Sequence, residues 1–268
     1  MKNKDLFKVG FIQNHPQFGN IQGNLSRIEE MLDGKMADLF VLPELFSTGY
    51  RFKKMDEAHQ YAELVPGGVV TSFLTSLAKK INTYFIAGLV EIDDDRIYNS
   101  SITVGPEGFI GRYRKIHLFD TEKACFHAGT EAPPVFNLNG IKVGVMICFD
   151  WRFPEIARSL ALNGAEIIAH PSNLVLPHCP QAMITRCLEN RVYAITANRV
   201  GNENRVPDEN LHFIGQSQVV DPDGNILIRA SEIEEEVQIV EIDLGKAREK
   251  FINSKNDIFK DRRPDLYS

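Results

Sequence analysis

A thiol, two carboxylates and an ammonium stand at or near the ends of short apolar runs in this chain, a set suited to acyl transfer through a cysteine nucleophile. Cys148 closes the run KVGVMIC, in which Val143, Val145, Met146 and Ile147 read as a strand buried on both faces. Pro154 and Glu155 then suit the first turn of a helix over Pro154–Leu162, with Asn163 and Gly164 as its stop. A thiol at a strand end, facing a helix N-terminus, can have its pKa lowered toward a usable thiolate. Taken alone, the segment fits a small core cysteine equally well. Glu44 stands just past ADLFVLP, Lys115 follows a strand in GRYRKIHLF, and Glu122 lies in DTEKACF. One at a time, these read as a helix-start glutamate, a snorkelling surface lysine and a solvated loop charge. His117 and His170 are the bases that a cysteine–histidine mechanism would use instead.

The elements that must position these groups follow from periodicity. Strands are expected over 8–13, 37–42 and 84–91, with helices over 21–32 and 71–81 between them. Residues 98–104 and 109–114 read as paired strands around a turn at 105–108. Beyond the cysteine segment come a strand at 166–169, a helix at 180–190 and a strand at 192–197. Late strands are expected over 213–220, 225–229 and 237–242, then a short helix over 245–251 and a polar tail over 253–268. Strands alternating with helices imply an α/β fold of mixed sheets covered by helices. No linker or repeat breaks the chain, so a single domain over 1–268, with its core at about 8–250, is expected. In such sheets ligands gather at the carboxyl ends of strands, where Glu44, Cys148 and the run His170-Pro171-Ser172-Asn173 fall.

Composition narrows the partners. Thirty basic and 36 acidic residues give a formal net charge of −6, without a long basic run, which argues against nucleic acid or an anionic membrane. The opening MKNKDLFKVGFIQ lacks the apolar stretch of a signal peptide, and no apolar run reaches membrane-spanning length, so a cytoplasmic location is the expectation. The four cysteines (Cys125, Cys148, Cys179 and Cys187) then read as free thiols. Cys125 and His127 together with His178 and Cys179 match no zinc spacing, so no metal is expected.

The segments LPELFSTGY, YRKIHLF and GVMICFDWRFPE resemble, in that order, the glutamate, lysine and cysteine motifs of the nitrilase, or carbon–nitrogen hydrolase, superfamily. HPSNLVLP, RCLENRVYAITANRVG, FIGQSQVVDPDGNIL and DIFKDRRPD extend the resemblance from Lys8 to about Arg263. It implies a four-layer α-β-β-α sandwich and association into homodimers or larger homo-oligomers. It also implies Cys148 as nucleophile, Glu44 as general base, Lys115 as stabiliser of the tetrahedral intermediate and Glu122 as a second glutamate. The Phe149 amide is the natural second oxyanion donor. No metal or organic cofactor is needed.

On this resemblance the expected substrate is a small amide, nitrile or N-carbamoyl compound. Arg152, four residues after the nucleophile, stands where members acting on carboxylate-bearing amides often carry arginine, and a guanidinium can grip a carboxylate bidentately. Arg152 could equally pair with Asp150 or Glu155. Trp151 and Phe149 would wall the pocket, and Ser172 and Asn173 would bound it. Amide hydrolysis is the leading expectation and nitrile hydrolysis the alternative. A catalytically idle scaffold is the reading from another class.

Overall fold

The computed structural model describes residues 5–267. β1 (Leu6–Gln13) runs through the crossover helix α1 (Ile21–Met31) into β2 (Leu39–Val41), parallel to it. A short α2 (Met55–His59) and a two-residue β3 (Glu63–Leu64) precede α3 (Val69–Ile81) and β4 (Tyr84–Asp93). β5 (Arg96–Gly105) and β6 (Gly108–Arg114) continue from β4 as an antiparallel meander. The second half runs through β7 (Val135–Leu138), β8 (Ile141–Val145), α4 (Pro154–Leu162), β9 (Ile167–Pro171), α5 (His178–Asn190) and β10 (Tyr193–Ala197). A small ribbon of β11 (Asn202–Glu203) and β12 (Leu211–His212) follows, then β13 (Gln218–Val220), β14 (Ile226–Arg229), β15 (Glu236–Asp243) and α6 (Leu244–Arg248).

Two sheets carry the fold. One orders β15-β1-β2-β4-β5-β6, with β3 against β4, and the other β14-β13-β10-β9-β8-β7. The two-residue side-chain period of a strand assigns the layers. Leu39 and Val41 of β2 and Ile86 of β4 pack with Val143, Val145 and Ile167 between the sheets. Phe40 and Phe85 point the other way, against Leu25 and Ile28 of α1 and Val70, Leu74 and Leu77 of α3. α4 and α5 cover the outside of the second sheet through Ile156, Leu160, Met183 and Cys187. The result is the α-β-β-α sandwich. Each large apolar side chain in these layers contributes about 1.5–3 kcal/mol by leaving water.

The expected elements are present with shifted ends, and three shifts have local causes. β8 stops at Val145, so the run to Cys148 is not all strand, although the Met146 amide still donates to Ala169 O at 3.1 Å. The break comes from Cys148 itself, whose φ of 41° turns the chain. The strand expected over 213–220 is confined to Gln218–Val220, because Gly215 (φ 59°) and Gln216 (φ 56°) adopt left-handed backbone. The last helix ends at Arg248, where Glu249 takes extended backbone. α2, β3, β7, β11 and β12 were not expected; all are short and lack clear periodicity. Among the described residues, no helix is long and apolar enough to cross a membrane.

Candidate active site

Strand direction brings the reactive segments to one rim. β1, β2 and β4 are parallel, β6 returns to the same sense after two antiparallel turns, and β8, β9 and β10 are parallel in the second sheet. Glu44 follows β2, Lys115 follows β6, Cys148 follows β8, and Ser172 and Asn173 follow β9. The Glu44 turn lies tightly against β4: Gly88 N–H donates to Pro43 O at 3.1 Å, and Phe46 N–H to Gly88 O at 3.2 Å. A Cβ at Gly88 would stand 2.5 Å from the Glu44 Cα, so only glycine allows this approach.

At the rim, Glu44 and Lys115 are fully buried, with Cys148 and Glu122 nearly so. Lys115 Nζ donates to Glu44 Oε1 and to Glu122 Oε1, both at 2.7 Å. Asn99 Nδ2, from the middle of β5, also donates to Glu44 Oε1 at 2.7 Å. Tyr50 Oη donates to Glu122 Oε1 at 2.7 Å, and Phe119 N–H to Glu122 Oε2 at 3.1 Å. Glu44 Oε2 is buried and has no hydrogen-bond partner among the described residues. Burial works to lower the Lys115 pKa, but the Glu122 and Glu44 charges outweigh it and hold the ammonium above its ordinary range. Burial pushes the Glu122 carboxyl up; Lys115 opposes that and the Glu44 charge adds to it.

The Cys148 thiol does not follow the expectation of a lowered pKa. Burial and the Glu44 charge push it well above the usual thiol value, against the pull of Lys115. Between Cys148 and α4 lies a 3-10 turn, Cys148–Arg152, so the thiol does not sit on the helix N-terminus. The thiol is therefore protonated at rest and needs a base. Its turn is held from both sides. Asp150 Oδ2 accepts the Ile147 N–H at 2.8 Å and the Tyr113 hydroxyl at 2.9 Å, while Asp150 Oδ1 lies 2.8 Å from His117 Nδ1. His170 Nε2 lies 2.9 Å from Cys148 O, and its Nδ1 3.1 Å from Thr196 Oγ1. Both histidines are thus spent on the scaffold of the turn and do not hydrogen-bond the thiol. Burial lowers His170 to about 4, so it is neutral near pH 7. The Phe149 N–H has no protein acceptor among the described residues and is free to bind an oxyanion.

A cavity of ≈ 370 Å³ opens onto Cys148, lined by Phe119, Phe149, Trp151, Leu174 and Leu176, with Arg152 and His178 among its walls. That size suits a small ligand. Arg152 lies over the Trp151 ring at 5.5 Å, and no acidic side chain pairs with it among the described residues; Asp150 is occupied by its own donors. Asn173 lines the cavity, donates through Nδ2 to Glu44 O at 2.8 Å, and offers its carbonyl to Cys148 Sγ at 3.9 Å. Ser172 does not bound the pocket as expected. It is fully buried behind the site, its hydroxyl between His170 Nε2 (3.1 Å) and His170 O (3.3 Å). Sequence reasoning missed Tyr50 and Asn99. For Asn99 the signal was a polar run, Asn-Ser-Ser, inside an otherwise apolar strand.

The fold is an α-β-β-α sandwich that gathers a buried thiol, an ammonium and two carboxylates at one rim. A family model described as carbon-nitrogen hydrolase matches residues 8–250, and the chain belongs to that family, whose members hydrolyse carbon–nitrogen bonds. It is 50% identical over 265 residues to a Pyrococcus abyssi protein named nitrilase, covering 98% of this chain and 99% of that one. It is 32% identical over 268 residues to the 2-oxoglutaramate amidase of Bacillus subtilis, covering 97% of this chain and 98% of that one. The crystal structure of Saccharomyces cerevisiae Nit3, a member of branch 10 of the nitrilase superfamily, matches with a TM-score of 0.80 at 30% identity, covering 91% of this chain and 92% of that chain.

Proposed function

We propose that the enzyme hydrolyses small aliphatic amides, those bearing a carboxylate above all, through a thioester on Cys148. The observation that carries this reading is the free, buried Oε2 of Glu44 in a site whose thiol is protonated. Glu44 takes the thiol proton as Sγ attacks the carbonyl carbon. The oxyanion forms against Lys115 Nζ and the Phe149 N–H, each such donor being worth roughly 3–4 kcal/mol of barrier. Glu44 returns the proton to nitrogen, the C–N bond breaks and ammonia leaves. Glu44 then deprotonates water, which attacks the thioester; the acid departs and Cys148 recovers its proton. Glu122 orients Lys115. No step requires a metal or an organic cofactor.

Arg152, without an acidic partner at the cavity wall, supports recognition of a substrate carboxylate. The relative named 2-oxoglutaramate amidase is consistent with that substrate class. Nitrile hydrolysis is the second reading, favoured by the 50%-identical relative named nitrilase. The same cysteine would then add to the nitrile carbon. A homodimer is proposed as the working form on family grounds, and light scattering in solution tests it. Ammonia release from a panel of ω-carboxylated amides, neutral amides, N-carbamoyl compounds and nitriles tests the substrate. Fastest release from ω-carboxylated amides is expected. Release from nitriles alone would establish the second reading, and no release from any compound would favour an idle scaffold.

A further inference from the structure

Tyr50 belongs to none of the roles assigned above, yet its buried side chain reaches Glu122 directly. Its hydroxyl meets Glu122 Oε1 at 2.7 Å, the same oxygen that Lys115 reaches at 2.7 Å. Its own backbone is clamped by a separate segment. Glu203 of β11 accepts the Tyr50 N–H at 3.0 Å through Oε1 and the Arg51 N–H at 2.7 Å through Oε2. Arg199, also buried, neutralises Glu203 through an ion pair and lies over the Phe213 ring at 4.0 Å. Phe213 in turn packs edge-on against the Tyr50 ring at 5.9 Å. The loop from Arg199 to Phe213 therefore clasps Tyr50 by backbone and ring together, and aims its hydroxyl at one oxygen.

We propose that Tyr50 is a positioning residue whose hydroxyl, aimed by the Glu203 clasp, keeps Glu122 an ionised acceptor, so that Lys115 is shared between two carboxylates and Glu44 stays free to take the thiol proton. The inference rests on the roles proposed for Cys148 and Glu44. Its physics is a balance at one buried carboxylate. Burial and the Glu44 charge favour a proton on Glu122, whereas Lys115 and the Tyr50 hydroxyl favour the anion. Were Glu122 to take a proton, Lys115 would turn its whole charge on Glu44 and oppose proton transfer from sulfur. The titratable groups facing Glu122 are Lys115, Glu44, Tyr50 and the thiols Cys148 and Cys125. Asp120 and Lys123, on its own turn, are exposed to solvent. The Tyr50 phenol is held well above its ordinary range, first by burial and then by the Glu122 and Glu44 charges, so it stays a donor at every working pH.

The test is the rate of Cys148 alkylation by iodoacetamide against pH, with the site confirmed by peptide mass, in the wild type, Tyr50→Phe, Glu44→Gln, Glu122→Gln and the Tyr50→Phe/Glu122→Gln pair. This readout requires no knowledge of the substrate. Removal of one hydrogen bond to a buried charge is expected to move the acid-side midpoint of Tyr50→Phe upward by about one pH unit, so the rate below that midpoint falls about tenfold. The rate on the alkaline plateau stays within about twofold of the wild type. In the Glu122→Gln background the phenylalanine adds no further shift. A Tyr50→Phe profile that superimposes on the wild type, or is only uniformly slower, overturns the proposal; so does a shift that persists with Gln at position 122. If Glu44→Gln alkylates like the wild type, the role of Glu44 fails and the proposal fails with it, an outcome distinct from failure at Tyr50 alone.

Discussion

Lys115→Met probes the charge balance of the site through stability, independently of turnover. In the native protein one fully buried ammonium lies 2.7 Å from each of two buried carboxylates. Methionine fills similar volume without charge, leaving Glu44 and Glu122 to face each other in a buried site. Breaking a buried pair by removing one partner costs about 3–5 kcal/mol. For a domain of this size each kcal/mol lowers Tm by about 2–4 °C, so a loss of about 6–20 °C is expected at about pH 8. The sign of the pH dependence follows from proton binding. Glu122 is already pushed up by burial, and the variant loses the charge that opposed this. The folded variant thus holds a proton that the unfolded chain, with glutamates near 4.3, has released. A raised folded-state pKa stabilises at low pH and loses that contribution as pH rises through it. Between about pH 8 and pH 6 the variant should recover about 1 kcal/mol more than the wild type, whose Glu122, pushed up to about 7, itself takes up a proton over part of that range at up to about 1.4 kcal/mol per pH unit. Scanning fluorimetry of both proteins across that range is the assay. A Tm loss that is equal at both ends, or below about 2 °C at the alkaline end, would mean that Lys115 does not balance the two buried carboxylates.

Arg152→Ala should raise KM for ω-carboxylated amides about 10- to 100-fold and leave neutral amides nearly unchanged, because a hydrogen bond to a charged group is worth about 1.5–3 kcal/mol; equal effects on both classes would remove the carboxylate clamp. Asp150→Ala should lower stability by about 2–3 kcal/mol and kcat with it, since it leaves the buried Ile147 N–H and the Tyr113 hydroxyl without the oxygen that accepts both. Chemical unfolding and steady-state rates on the same preparation check both effects. His170, held neutral by burial with a value of about 4, contributes stability that is fully present above the unfolded-state 6.5 and is lost as pH falls toward 4. The wild type should lose about 3 kcal/mol across that window through this group, and His170→Gln should show a correspondingly flatter pH dependence in urea melts. Gly88→Ala should displace the Glu44 turn, since a Cβ would meet the Glu44 Cα at 2.5 Å; a kcat falling more than tenfold with KM little changed is the expected sign.

How much was legible from sequence differs by the range of the interaction. Apolar periodicity and stop signals located α4 at Pro154–Leu162 and the buried strands, because those signals are local. Glu44, Lys115 and Cys148 were legible as strand-end residues because parallel strands send their carboxyl ends to one rim. The sign of the Cys148 shift was not legible. It depends on burial and on the Glu44 charge, both delivered from other parts of the chain. Ser172 looked like a pocket residue from its place after a strand, but its hydroxyl turns back to His170, two residues earlier. Tyr50 was hidden for a different reason: its partner Glu122 lies 72 residues on, and the Glu203 that aims it lies 153 residues on.

A thioester on Cys148 can be weighed: intact-mass spectrometry of enzyme quenched in acid during turnover of a small amide looks for it without an intermediary. The wild type should carry an added mass equal to the acyl group, located on the Cys148 peptide and lost on chasing with hydroxylamine, and Cys148→Ala should show neither adduct nor ammonia release. Ammonia release that persists in Cys148→Ala would rule out a thioester route.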